Sequence, residues 1–213
     1  MDLMSIMGAL LGDSSTSGIS KATGASTSDV TNILSSALPL LLTGANTQAN
    51  NSSTATGFVN ALASHAQDDT SNLSSFFNTA EIEDGSKIIQ HLFGSQTTTA
   101  TKAIAKEAGV TQKQATSVLS AAAPYFMSLM GQQTEAATKQ ATTQTAKTNA
   151  TANLFSSLLG NTDATSLVGS LLSSALTSNS SSSKKSTKKK SGVDLSDGLD
   201  VSDVVGLLGG LLK

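Results

Sequence analysis

The stretch ISKATGASTSDVTNILSSALPLLLT, residues 19–43, decides the fold because it occurs a second time, as IAKEAGVTQKQATSVLSAAAPYFMS at residues 104–128. The two copies align over their whole length without a gap. Identical residues stand at eight pairs of positions: Ile19/Ile104, Lys21/Lys106, Gly24/Gly109, Thr31/Thr116, Leu34/Leu119, Ser35/Ser120, Ala37/Ala122 and Pro39/Pro124. Such internal similarity predicts a duplicated structural unit.

Each copy is predicted to form a short helix, a tight turn and a long helix. In the second copy Gly109 follows the short helix and can adopt the positive φ that ends it. Thr111 and Gln114 then have the spacing of a capping box, in which each side chain satisfies a free backbone N–H group. The first copy holds matching residues in the same places: Gly24, Ser26 and Asp29.

Apolar residues recur every three or four positions in both long helices, so each helix presents one stripe that must be buried. The stripes are Val30, Ile33, Leu34, Ala37, Leu38, Leu41 and Leu42 in the first copy, and Ala115, Val118, Leu119, Ala122, Ala123, Phe126 and Met127 in the second. The simplest partner for each stripe is the other copy. Pro39 and Pro124 lie in phase within the stripes, which predicts a kinked helix at each proline instead of a helix start.

Further helical patterns flank the two copies. Residues 3–11 form an amphipathic pattern that ends at Gly12; it favours a helix packed on the bundle over a membrane-binding or partner-binding helix. Residues 43–56 read as a loop or frayed helix end, and three shorter apolar patterns follow, around residues 58–65, 73–77 and 88–93. The predicted class is therefore all-α: a helical bundle built from two pseudo-repeated helix-turn-helix units, followed by a low-complexity tail with short helices.

The composition predicts where the bundle ends. Residues 1–131 form the helical domain, and residues 132–152 are a polar Gln/Thr/Ala linker or an extension of the preceding helix. Residues 153–177 contain two weak apolar helices that dock on the bundle or pair with another molecule. A flexible Ser/Lys-rich linker, residues 178–192, leads to a C-terminal apolar helix at residues 193–213.

The order of these segments resembles a known family. GASTSDVTNILSSALPLLLTG, GFVNALASH, GSKIIQHLFGS and AIAKEAGVTQKQATSVLSAAAPYFMSLMG follow one another as in the bacterial domain of unknown function 937 family. The resemblance covers residues 1–131 and includes both proline-bearing helices and Gly94. It implies a helical, mostly bacterial domain without an established activity, and it supplies no catalytic residues to carry over.

Composition narrows the possible functions. The chain has no cysteine, which excludes disulfides, thiolate metal sites and a cysteine nucleophile. All 13 basic residues are lysines, and the net charge is −2, so the arginine contacts that dominate base recognition are missing. The N-terminal apolar patch lacks the basic start and cleavage site of a signal peptide and is too short to span a bilayer, which favours a cytoplasmic protein.

No set of residues in the sequence has the spacing of a catalytic or cofactor site. His65 and His91 could hold a metal with Asp68 or Asp69, but neither histidine belongs to a ligand-spaced pair, so no metal and no cofactor is predicted. Glu81, Glu83 and Asp84 are interpreted as helix-start residues instead of a carboxylate site. Phosphate-loop, dinucleotide and serine-hydrolase motifs are absent, so we predict neither an enzyme nor a small-molecule substrate.

Two surfaces of the tail are candidate partner sites. A possible polyanion contact, for nucleic acid or an anionic membrane surface, comprises Lys184, Lys185, Lys188, Lys189 and Lys190. A possible docking face for an unknown protein or a second copy comprises Val201, Val204, Val205, Leu208, Leu211 and Leu212. The first hypothesis is a non-catalytic structural or protein-interaction module. The alternative is a non-specific nucleic-acid-binding protein that uses the helix-turn-helix-like units and the lysine cluster.

Overall fold

A computed structural model describes residues 3–79 and 82–160 of the chain. The helices are α1 (Leu3–Leu11), α2 (Asp13–Thr23), α3 (Thr27–Asn50), α4 (Ala55–His65), α5 (Leu73–Thr79), α6 (Ile82–Phe93), α7 (Thr97–Ala108), α8 (Gln112–Thr138) and α9 (Gln144–Gly160). A short 3-10 turn, Gly94–Gln96, joins α6 to α7. These residues contain no strand, which confirms the all-α class.

Both helix-turn-helix units form as the sequence predicts. Gly24 ends α2 with φ of 73°, and Gly109 ends α7 with φ of 70°, a conformation that residues with a Cβ rarely adopt. The Ser26 side chain accepts a hydrogen bond from the Asp29 backbone N–H at the start of α3. Thr111 and Gln114 form the reciprocal capping box at the start of α8. The units are thus α2–α3 and α7–α8.

The two apolar stripes are buried. Leu34 in α3 is 2% exposed, and Leu119 at the matching position of α8 is fully buried. Both prolines lie inside their helices, which continue past them, so neither marks a helix start. The kink expected at each proline stays a prediction.

The units pack reciprocally, which differs from the simplest expectation. The stripes of α3 and α8 do touch, but α3 makes more extensive contacts with α7 and α9, and α8 with α6, α4 and α2. Each long helix is therefore covered by the short helix of the other unit and by helices that follow the other unit. The reason is geometric, because one helix covers only part of the circumference of another and the apolar stripes are wider than a single contact.

Two glycines allow neighbouring helices to approach α8 closely. A Cβ added to Gly85 of α6 would overlap the backbone carbonyl of Ser120, and one added to Gly131 of α8 would overlap the carbonyl of Leu62 in α4. Any residue other than glycine would have to push the backbones apart at these crossings. Gly85 and Gly131 therefore fix where α6 and α4 lie against the central helix.

Several element boundaries differ from the sequence expectations. α3 continues to Asn50, well into the segment read as a loop or frayed helix end. α8 extends to Thr138, as the helix-extension alternative for residues 132–152 expects for the first part of that segment. α9 crosses the expected boundary at residue 152. It packs against α3 because Phe155 supplies a fully buried anchor, and because the buried Thr151 hydroxyl is satisfied by the Lys147 carbonyl at 2.8 Å. The N-terminal helix packs on the bundle through Ile6 and Leu10.

Candidate functional site

Two histidines that are distant in sequence line one cavity. His65 lies in the last turn of α4 and His91 in the last turn of α6, and both helices pack on α8. The cavity measures about 380 Å³. Its lining is mainly apolar and comprises Phe58, Ala61, Ile88, Leu92 and Met127, with Gln48, Ser53, Thr54 and Gly57 completing the wall around the histidines. We call it the histidine pocket.

A partly buried hydrogen-bond chain holds His65 in place. Its Nδ1 lies 2.8 Å from Oδ2 of Asp68, in the turn after α4. The same carboxylate oxygen accepts a hydrogen bond of 2.8 Å from the hydroxyl of Ser128, which is fully buried on α8. The Asp68 carboxylate therefore links the central helix to the imidazole. Because Nδ1 is engaged, Nε2 is the ring nitrogen that remains for a further partner.

Serine, aspartate and histidine meet here, but not in the order of a catalytic triad. In a triad the histidine lies between the other two and removes a proton from the serine. Here Asp68 lies in the middle, and Ser128 donates to the carboxylate instead of to the imidazole. Ser128 is also fully buried and lies 3.2 Å from the Pro124 carbonyl. The arrangement orients His65 and does not activate the serine.

The sequence offered four possible metal ligands: His65, His91, Asp68 and Asp69. The structure does not place all four at one site. His65 and His91 line the histidine pocket, while Asp69 lines a separate open cavity of about 730 Å³. Hydrogen bonds from the Ser71 hydroxyl and backbone lower the pKa of the exposed Asp69 carboxyl. Over residues 3–79 and 82–160, the structure contains no group of three or more His, Asp or Glu side chains able to hold a metal ion.

Two of the three acidic residues before Gly85 lie where the helix-start interpretation places them. Glu83 and Asp84 occupy the first turn of α6, whose positive dipole end favours negative charge. Glu83 also lies 3.9 Å from the exposed Lys87 ammonium group, one turn along the same helix. Both residues therefore have a structural explanation, while Glu81 lies outside the described residues.

The second helix-turn-helix unit does not present a free second helix. A recognition helix needs an exposed face to enter the DNA major groove. On α8, Lys113 is exposed, but the stretch from residue 118 to residue 131 is buried throughout. The five-lysine cluster and the C-terminal docking face lie beyond residue 160, outside the residues that the structure describes.

The histidine pocket is the feature that sequence analysis missed. The spacing of His65 and Asp68, three residues apart at a helix end, was the only local signal for the hydrogen bond between them. Ser128 lies far from Asp68 along the chain, and His91 reaches the pocket on a different helix. Their meeting follows from the packing of α4 and α6 on the same central helix.

The fold defines an all-α bundle of two reciprocally packed helix-turn-helix units. The model of the family described as bacterial protein of unknown function (DUF937) matches residues 5–133, so the chain belongs to that family. No curated protein and no solved structure matches the chain. None of the helices in the described part of the chain has both the length and the apolar character that crossing a lipid bilayer requires.

Proposed function

We propose that this protein is a non-catalytic interaction module and that the histidine pocket receives apolar side chains of a protein partner. The observation that supports this is the pocket itself, an apolar cavity flanked by two imidazoles, one of which is held by the hydrogen-bond chain through Asp68 and Ser128. Its volume of about 380 Å³ lies within the range of about 300–1,000 Å³ that is usual for ligand sites.

The residues that line the histidine pocket favour a partner that carries an apolar group with a polar edge. Met127 and Leu92 lie at the walls formed by α8 and α6, and Phe58 contributes an aromatic ring from α4. Burying an apolar group against them removes nonpolar surface from water, at about 25 cal/mol for each Å². The imidazoles then offer hydrogen bonds to the polar part of the same partner, which fixes its orientation. An amphipathic helix that inserts one or two apolar side chains has this chemistry.

The orientation of His65 supports a binding role over a catalytic one. The Asp68 carboxylate accepts hydrogen bonds from both Ser128 and His65, so the imidazole is held at one angle against the pocket. A fixed hydrogen-bonding group loses little conformational freedom when a ligand binds. No nucleophile is hydrogen-bonded to either imidazole among the described residues, so the geometry favours recognition.

Gly57 offers a direct test, because it lines the pocket and an added Cβ would meet nothing within 4 Å. In Gly57→Leu, the new side chain should enter the pocket mouth without displacing neighbouring atoms. We expect anilinonaphthalene sulfonate, used as an apolar probe, to bind at least ten-fold more weakly to this variant. The matched control is Gly8→Leu on α1, where an added Cβ also has open space, and its probe affinity should equal that of the original protein.

A photocrosslinking amino acid extends the test to the partner. Placed at Ser53, which is exposed and lines the pocket, it should crosslink one protein in living bacteria, and Gly57→Leu should abolish that product. Placed at Ser64, exposed on α4 outside the pocket, it should not give that product. Equal crosslinking at both positions, or a product insensitive to Gly57→Leu, would contradict the proposal.

A further inference from the structure

The imidazole of His65 connects a carboxylate to the histidine pocket. His65 lines the pocket, whereas Asp68, whose Oδ2 lies 2.8 Å from Nδ1 of His65, lines the separate open cavity. A carboxylate has lone pairs but no hydrogen to give. The hydrogen in the bond between these two side chains therefore belongs to Nδ1 of His65.

The position of that hydrogen decides what the other ring nitrogen can do. A neutral imidazole carries one hydrogen, so Nε2 keeps a bare lone pair when Nδ1 holds it. The Ser128 hydroxyl donates to the same carboxylate oxygen at 2.8 Å, so this oxygen accepts from both of its partners. Neutral His65 therefore offers a ligand a hydrogen-bond acceptor and not a donor.

Other polar side chains of the pocket also offer lone pairs. The Thr54 hydroxyl donates its hydrogen to the Gln48 backbone carbonyl at 3.1 Å, and the Ser53 hydroxyl donates to Oδ1 of Asn51 at 2.7 Å. A hydroxyl has a single hydrogen, so both oxygens keep only lone pairs for a ligand. The side-chain amide of Gln48 donates to the backbone carbonyl of His91. The polar groups of the pocket are thus mainly acceptors.

We propose that the protein partner inserts a tryptophan into the histidine pocket and that its indole N–H donates to Nε2 of His65. This inference rests on the proposed function and names the group that the pocket receives. An indole is a large apolar ring whose only polar atom is a donor. A carboxylate would bring only lone pairs to a wall of acceptors, and a phenol oxygen would bring lone pairs as well as its hydrogen.

The apolar walls of the pocket suit an indole ring. Phe58 and Met127 are at most 9% exposed, and they contribute an aromatic ring and a thioether to the lining. Aromatic rings pack favourably on other rings and on sulfur. Tryptophan is also enriched among the few residues that dominate the binding energy of protein interfaces. One tryptophan can therefore use both the apolar walls and the acceptor on His65.

The indole has to come from a different protein. The chain contains no tryptophan, so neither a second copy nor another segment of the same chain can supply one. Its one tyrosine, Tyr125, is only 5% exposed and packs its ring against Phe76 and Phe77. The proposal thus commits to a complex between unlike chains.

Indole and 1-methylindole test the hydrogen bond, because they differ in the N–H group that the proposal requires. The protein has no tryptophan, so the fluorescence of either probe can be followed against a low background in titrations of the full-length chain. We expect indole to bind at least five-fold more tightly than 1-methylindole. Equal affinities, or tighter binding of 1-methylindole, would overturn the inference.

Substitution of each histidine locates the acceptor. In His65→Asn the side-chain amide takes the place of Nδ1 beside Asp68 and nothing takes the place of Nε2, so the two probes should bind with equal affinity. His91→Asn is the matched control, because it removes the other imidazole, and it should keep the preference for indole within two-fold. A preference that survives in His65→Asn would overturn the assignment to His65.

Nitrogen NMR gives a second measurement that needs no ligand. In mildly alkaline buffer, where imidazoles are neutral, Nδ1 of His65 should have the chemical shift of a nitrogen that bears hydrogen, and Nε2 that of a bare nitrogen. His91→Asn assigns the signals, because the chain has only two histidines. A hydrogen on Nε2 would overturn the inference.

Gly57→Leu separates failure of this inference from failure of the proposed function. At least ten-fold weaker binding of indole to this variant, together with the preference for indole in the original protein, supports both. If the variant weakens both probes but they bind the original protein equally, the apolar pocket stands and the tryptophan anchor is overturned. If Gly57→Leu weakens neither probe, the probes do not occupy the pocket and both proposals are overturned.

Discussion

The helices α3 and α8 share a sequence pattern but occupy different environments. From residue 118 to residue 131, every residue of α8 is buried. Over the corresponding stretch of α3, buried residues alternate with exposed or half-buried ones such as Ser35 and Pro39. The comparison teaches that an apolar stripe fixes which side of a helix must be buried, whereas the neighbouring elements decide whether the rest is buried too.

Side-chain size suits each helix to its environment. Upstream of Pro124, α8 reads Ser-Ala-Ala-Ala at residues 120–123, while the matching residues 35–38 of α3 read Ser-Ser-Ala-Leu, so the larger side chain is Leu38 opposite Ala123. Small side chains bring neighbouring backbones close, so α6 can cross α8 at Ser120. Leucines instead fill the space between more widely separated helices. Substitutions at three kinds of position test this contrast, in order of decreasing expected effect.

The largest effect is expected at the crossing of α6 and α8. Gly85→Ala places a Cβ where it overlaps the Ser120 carbonyl, and the backbone cannot move aside as a flexible side chain would. We expect the free energy of unfolding to fall by about 3–4 kcal/mol, at or just above the upper end of the usual range for overpacking. Urea denaturation followed by circular dichroism would measure the change.

Gly57→Ala is the control for that substitution, because its Cβ meets nothing within 4 Å. It should raise the free energy of unfolding by about 0.5–1 kcal/mol, since alanine favours a helix more than glycine. If Gly85→Ala were as well tolerated as Gly57→Ala, the close crossing of α6 on α8 at Ser120 would be disproved.

An intermediate effect is expected where the two long helices are alike. Leu34→Ala and Leu119→Ala each remove a nearly or fully buried side chain at matching positions. Each should lower the free energy of unfolding by about 2–3 kcal/mol, the lower part of the range for large-to-small core changes, because neighbouring side chains can relax partly into the space. The losses in free energy of unfolding measured by thermal and by urea denaturation should agree. A much smaller cost at Leu34 would mean that α3 contributes less to the core than α8.

The smallest effect is expected at the helix starts. Thr111→Ala removes a hydroxyl that bonds both the Gln114 backbone and the Gln114 side chain, and Ser26→Ala removes a single cap, so the first should cost about 1 kcal/mol and the second somewhat less. The difference in urea midpoints between the two variants compares the two hydroxyl caps, because the bond from the Thr111 backbone N–H to Gln114 Oε1 survives Thr111→Ala. A larger loss for Ser26→Ala would reverse the assigned strengths of the two caps.

Local patterns predicted the units well because the relevant interactions span few residues. The turns at Gly24 and Gly109, the cap at Ser26 and the box at Thr111 depend on neighbours within about one helical turn. The length of α9 was harder to predict, because its first half is polar and the helix is held by a few buried residues such as Phe155. No pattern in the sequence indicated that the residues lining the histidine pocket, which come from several helices, would lie close together.

The sequence by itself determined the all-α class, the duplicated unit, the two buried stripes and the caps, because periodicity and capping chemistry act over three or four residues. Only the tertiary structure decided that each unit covers the long helix of the other. It also decided that Ser128 anchors Asp68, and through it His65, beside a pocket that His91 shares. These contacts join residues far apart in the chain, and their geometry depends on where glycines let the helices cross.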